Sequence, residues 1–215
     1  MTDTQTAPTG LAARLREATT PEHRDTETRG FVTKLMSGEL DLDAYVRYLA
    51  QYAYVYRALE ARLPRPGDPA FLNVPALPRF SAIVSDLEQL GAPDWETSHP
   101  PLDATAAYVD HVLAIDDADL PRTVAHHYTR YLGDLSGGQA IAKRVADHYG
   151  ATEDQLAFYR FDVRPGPFKV AYRQGLDDLG FTPDEEAVLF AEAKQAFRLN
   201  ADLFEALDAA QPAAR

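Results

Sequence analysis

"RYLGDLSGGQAIAKRVADHYG", residues 130–150, decides how this chain is read. Both flanks of the stretch have helical periodicity. Yet Gly133, Gly137 and Gly138 stand in its middle, each costing about 1 kcal/mol relative to Ala in a helix interior. On a wheel of about 100° per residue, Val124, Tyr128, Tyr131, Leu135, Gln139 and Ala142 form an apolar core face. Thr129, Gly133, Ser136, Gly137 and Ala140 fall opposite, all of them small. Two readings fit such a stripe. One is a seam where another helix packs closely. The other is a flat face where bare backbone meets a planar ligand. Asp134 projects at the stripe's border, as a solvated charge or as a carboxylate that orders water beside that face. Gly138 lies off the stripe and is expected to let the helix bend.

The same period of three and four extends outward. This helix is expected to run from about Pro121 to Tyr149, stopped by Gly150. In "DLDAYVRYLAQYAYVYRALEARL", Leu42, Tyr45, Val46, Leu49, Tyr52, Ala53, Tyr56 and Leu59 repeat helically behind an Asp41 N-cap. The prolines of residues 64–78 make a loop. "RFSAIVSDLEQL" and "DATAAYVDHVLAI" are shorter helices. "TPDEEAVLFAEAKQAFRLNADLFEAL" opens with a capping box of Thr182 and Glu185, with Pro183 at the first helical position. No stretch alternates as a strand does. The expected fold is all-α in a single domain over residues 10–209, with a disordered leader at 1–9 and a frayed end at 210–215.

The 215 residues, 46% hydrophobic, suffice for one sizeable core. The absence of cysteine excludes disulfides and thiolate chemistry. A net charge of -12 argues against nucleic acid as a partner. The longest apolar runs are too short for a membrane span, and the N-terminus lacks the pattern of a signal peptide. A soluble, cytoplasmic monomer is expected.

No histidine spacing matches a zinc motif. His126 and His127 are adjacent and point about 100° apart, so they cannot share one ion. His23, in "LREATTPEHRDTE", is the better ligand candidate. On a continuous helix Arg16, Thr19, His23 and Glu27 share one face. Glu27 then stands one turn on, where a carboxylate would accept the other ring N–H of a metal-bound histidine. Arg16 would reach an anionic edge of a cofactor. Pro21 leaves two possibilities: a helix bent at that point, or a new helix capped by Thr20.

At these residues the chain resembles the heme oxygenase family. "VAHHYTRYLGDLSGGQAIAKR" is similar to that family's signature. "LREATTPEHRDTE" resembles its proximal-histidine helix and "YVYRALE" its next long helix. "FYRF" and "FKVAYRQGLDDL" resemble its propionate-binding region, and "AEAKQAFRLNADLFEAL" its last helix. The resemblance implies heme sandwiched between a proximal and a kinked distal helix, with heme as both cofactor and substrate. It places His23 as the axial iron ligand and Glu27 as its partner. Gly133 and Gly137 become the distal glycines and Asp134 the distal aspartate. Arg16, Tyr128, Lys169 and Arg173 stand around the propionates. Tyr56, Arg130 and Asn200 join the distal polar network, and Phe197 lines the pocket.

The implied reaction is oxidative opening of heme to biliverdin, carbon monoxide and ferrous iron. It consumes O2 and electrons from a ferredoxin or flavoprotein reductase, for which Lys143 and Arg144 are either a basic docking patch or simply a solvated helix end. Arg16 stands where the family is expected to carry lysine, and "DVRPGPFK" puts two prolines before Lys169. The apolar tail of membrane-anchored members is missing, so the resemblance is to the soluble bacterial type.

Overall fold

The computed structural model describes residues 10–211. The expected leader at 1–9 therefore lies outside the described residues, as do 212–215. Of the expected frayed end, Gln211 is held, its side chain bonded to Arg47 and to the Leu207 carbonyl. All regular structure among the described residues is helical. Ten α-helices occur there: α1 (Leu11–Glu27), α2 (Gly30–Ser37), α3 (Leu42–Leu59), α4 (Phe80–Gln89), α5 (Trp95–Ser98), α6 (Asp103–Leu113), α7 (Leu120–His127), α8 (Gly133–Tyr149), α9 (Pro165–Asp177) and α10 (Pro183–Ala209). A five-residue π-helical segment, Tyr128–Leu132, joins α7 to α8.

Local sequence sets the ends of these elements. The Asp41 side chain accepts from the Ala44 amide at 2.7 Å and starts α3. Thr182 and Glu185 form the reciprocal capping box of α10. Gly150 takes φ 72°, in the left-handed region that ends α8. The 64–78 stretch is a loop containing one 3-10 turn, Ala70–Asn73.

Pro21 lies inside a continuous α1. It cannot donate to the carbonyl one turn back. Just upstream, the Thr19 and Thr20 hydroxyls donate to the carbonyls of Leu15 and Arg16, at 2.8 and 2.7 Å. Arg16 and His23 therefore share one uninterrupted helix.

Two apolar clusters form the core. One surrounds α3 and includes Tyr45, Leu49, Tyr52, Val55, Tyr56, Leu135 and Leu203. The other joins α1, α7, α9 and α10 through Leu15, Val124, Leu132, Tyr172 and Leu189. The α7–α8 helix contributes to both and so runs along their boundary.

The wheel of this helix needs two corrections: Gln139, placed on the core face, is exposed and reaches the Tyr159 carbonyl, and the small face starts later than drawn. Gly133, Ser136, Gly137 and Ala140 are exposed as expected, but Thr129 is buried and donates to the Ala125 carbonyl. A π turn closes bonds to the fifth residue rather than the fourth, so each step rotates less than in an α-helix. The small face begins only at Gly133, past that slip in phase.

Candidate functional site

The three glycines of the opening stretch divide into two kinds. A Cβ added at Gly138 would meet the Tyr159 ring at 2.9 Å, and Gly138 is buried. Close approach of that ring explains this glycine, in place of the expected bend. A Cβ at Gly133 or Gly137 meets nothing within 4 Å. No neighbouring element packs there, so a helix–helix seam does not account for the pair. The bare backbone faces open space.

Beside this face lies a buried polar network. Asp134 accepts a short hydrogen bond from the Tyr56 hydroxyl, and its other oxygen stands 3.5 Å from the Arg130 guanidinium. Arg130 donates to the Tyr56 oxygen at 3.2 Å and to Asn200 Oδ1 at 2.9 Å. Tyr52 donates to the same Asn200 oxygen at 2.9 Å. The guanidinium also lies over the Tyr52 ring, 4.4 Å from its centroid. Tyr56, Arg130, Asp134 and Asn200, read as distal-network members, are thus brought together from α3, the π segment, α8 and α10.

Burial raises the Asp134 pKa above the ordinary carboxylate value, and Arg130 and Tyr56 pull it partly back. Burial also raises Tyr56 well above a normal phenol, with Arg130 opposing. The Asp134 side chain is only 12% exposed, so it is not a solvated surface charge. Tyr52 was missed as a site residue because its helical spacing reads simply as core. The available signal was its hydroxyl: a buried tyrosine needs a polar partner for its O–H.

On α1, His23 Nδ1 faces Glu27 Oε2 at 3.3 Å. That leaves Nε2 as the ring's remaining ligand atom. The imidazole is half exposed and packs edge-on against the Phe197 ring, 5.5 Å between centroids. His23, Glu27 and Phe197 are therefore neighbours, as expected.

The two walls approach at one end. Tyr128, first residue of the π segment, lies beside Thr19 of α1, close enough for Thr19 to influence its hydroxyl. His23 lies one turn beyond Thr19, and Gly133 about one turn beyond Tyr128. Arg16 and Arg173 act electrostatically on the same Tyr128 hydroxyl. A cationic rim thus stands at that end. Lys169 lies one turn before Arg173 on α9, half-buried.

Lys143 and Arg144 are exposed, and Lys143 pairs with Asp147 at 2.7 Å. His126 and His127 diverge as their adjacency requires. His127 Nδ1 meets the Tyr172 hydroxyl at 2.8 Å, while His126 Nε2 meets Glu192 Oε1 at 2.9 Å.

Comparisons with known proteins converge. The heme oxygenase family model matches residues 9–206. A heme oxygenase from Porphyra purpurea is 34% identical over 204 residues, covering 92% of this chain and 86% of that protein. The solved heme oxygenase of Leptospira interrogans superposes with a TM-score of 0.85 at 34% identity, covering 92% of this chain and 99% of that one. Heme oxygenase-1 from the cyanobacterium Synechocystis, solved in complex with heme, gives 0.85 at 32% identity, over 94% and 93% of the two chains.

Proposed function

Because the chain belongs to the heme oxygenase family, whose activity is the oxidative cleavage of heme to biliverdin, carbon monoxide and ferrous iron, we propose that it carries out this reaction between the His23 face of α1 and the glycine face of α8. The observation that carries the assignment is the open space over Gly133 and Gly137 beside the buried Asp134 network. A planar group fits there because two Cβ atoms are missing and nothing else fills the gap. When bound, heme supplies the iron at which O2 reacts and the ring that is opened.

His23 would hold the iron through Nε2, with Glu27 placed to accept the Nδ1 proton, which fixes the tautomer and orients the ring. Phe197 limits rotation of that imidazole from the side. Gly133 and Gly137 let the α8 backbone approach the opposite face of the plane. Arg16, Lys169, Arg173 and the Tyr128 hydroxyl would hold the propionate carboxylates, and so select the edge attacked. Asp134 holds a water or a proton at its carboxyl oxygens next to the oxygen-binding side. Burial pushes its pKa up while Arg130 and Tyr56 pull it back, and a carboxyl so placed can relay a proton. Tyr56, Arg130, Tyr52 and Asn200 keep the carboxyl in place. Electrons come from a ferredoxin or flavoprotein reductase that docks as a separate protein.

Hemin titration followed by aerobic turnover with product chromatography tests this reading. A shifted Soret band, then biliverdin, is expected from the wild type. His23→Ala should keep some hemin binding and lose turnover. Full biliverdin yield from that variant would exclude His23 as the axial ligand.

A further inference from the structure

A second cluster lies outside this site. Three side chains from three helices converge in the apolar interface of α6, α7 and α10. His111 Nε2 stands 2.5 Å from Glu192 Oε1, and His126 Nε2 stands 2.9 Å from the same oxygen. One ligand atom from each of the three groups lies within 4.8 Å of the other two. The His126 and Glu192 side chains are 2% and 8% exposed, whereas His111 is 34% exposed. The cluster is therefore enclosed, with one edge open to solvent.

We propose that His111, His126 and Glu192 form a binding site for one divalent transition-metal ion of the zinc or ferrous type, separate from the heme face.

The donor set is two imidazole nitrogens and one carboxylate oxygen. That set suits zinc with one open position, or ferrous iron in a two-histidine, one-carboxylate triad. Bonds of about 2.0–2.2 Å to all three atoms would space them about 3–3.5 Å apart. The two nitrogen-to-Oε1 separations, 2.5 and 2.9 Å, need to widen by less than about 1 Å, the two nitrogens, within 4.8 Å of each other, need to stand at that same spacing, and His111 has the solvent-facing freedom to move.

The other Glu192 oxygen is already occupied. Arg122 Nε stands 3.4 Å from Oε2 and orients the carboxylate, leaving Oε1 toward the histidines. The charge of Arg122 is itself shared with Asp119, to which it donates a short hydrogen bond. A ligating histidine needs a partner for its second ring nitrogen. His126 Nδ1 is buried with no protein partner, and the ring borders a cavity of about 270 Å³ between α3, α6 and α7. A small rotation of the ring would bring that nitrogen to the cavity, where a water could take the bond.

Bound metal would cross-link α6, α7 and α10. His126 is also one turn before Arg130, so the ion would stiffen the helix that carries the distal network.

The test uses the full-length, heme-free chain, titrated with Zn2+ in air and with Fe2+ under anaerobic conditions against a chromophoric chelator. One equivalent should bind in each arm, or in one arm if the pocket prefers that ion. His111→Ala, which truncates the exposed ligand, should weaken binding by at least about tenfold. Glu192→Gln, close in shape, should do the same, and both variants should retain the wild-type far-UV circular dichroism. His23→Ala should leave affinity unchanged. The proposal is overturned if neither ion binds at micromolar concentrations, if His111→Ala and Glu192→Gln bind as tightly as wild type, or if His23→Ala alone abolishes binding.

Discussion

Arg130 is a charge kept in the interior by its neighbours. Burial works against the guanidinium, but Tyr52, Tyr56 and Asp134 outweigh it and raise its pKa well above the ordinary arginine value. Removing one member of such a network leaves others buried and unpaired, which costs more than the contact itself contributes. Asp134 is the member that borders the proposed oxygen side, so its substitution separates positioning from proton handling. Asp134→Asn keeps the shape and forfeits the titrating carboxyl. Hemin affinity should stay within about threefold, while biliverdin formation falls on the order of 100-fold. Single-turnover absorbance under air checks this, and an unchanged rate would remove Asp134 from proton transfer. Tyr56, Arg130, Asp134 and Asn200 were assigned through a motif resemblance. Tyr52 carried no such mark, because one tyrosine in a periodic series looks like the next until its hydroxyl partner is known.

At the scale of elements, α8 uses glycine for two unrelated purposes. Gly138 makes room for Tyr159, whose backbone carbonyl also accepts from Gln139 at 2.6 Å. Gly138→Ala should therefore destabilise the protein by about 1–3 kcal/mol through overpacking. Gly137→Ala meets no atom and removes backbone freedom, so it should stabilise the helix by about 0.5–1 kcal/mol while weakening hemin binding. Urea unfolding alongside hemin titration distinguishes the two. Opposite signs of the stability changes are expected, and a loss of stability in both variants would return Gly137 to a packing role. Most helices were readable because caps and period agree locally, as at Asp41 and Thr182. The π segment was not readable. Its extra residue changes rotation without changing composition, and a wheel drawn at one fixed angle carries the error forward to Thr129.

Across the whole molecule, the unread features are the ones that join distant parts of the chain. His111 and Glu192 are 81 positions apart and meet only after α6 and α10 pack. The long 64–78 loop is secured in a similar way. Arg62 forms two parallel 2.8 Å bonds to Asp68 and also donates to the Asp117 carbonyl at 3.1 Å. This clasp fastens the loop and the α6–α7 connection to the end of α3. Hydrogen bonding from Arg62 lowers the Asp68 pKa to about 2, against about 3.9 in an unfolded chain. The clasp therefore stabilises fully above the unfolded value, and its contribution fades as pH falls through about 2. Asp68→Asn should cost about 2 kcal/mol at neutral pH, with the gap to wild type closing in strong acid. A constant gap down to the lowest accessible pH would mean that the loss comes from shape rather than charge.

The π segment has a consequence for how such a helix tolerates change in length. It acts as a phase adjuster between two rods: upstream, α7 is set by its grip on α10; downstream, α8 is set by what its bare face must meet. A single inserted or deleted residue elsewhere in this helix would turn every later side chain by about 100°. Here the adjuster already holds one residue in reserve: its five residues, each turned less than an α residue, cover about the angle of four in an α-helix, so removing one from Tyr128–Leu132 would restore uninterrupted α geometry and leave Asp134 and both open glycines close to their present aim. The direction in which the distal face looks is thus buffered against the loss of one residue at the π segment, and sensitive to such a loss on either side of it.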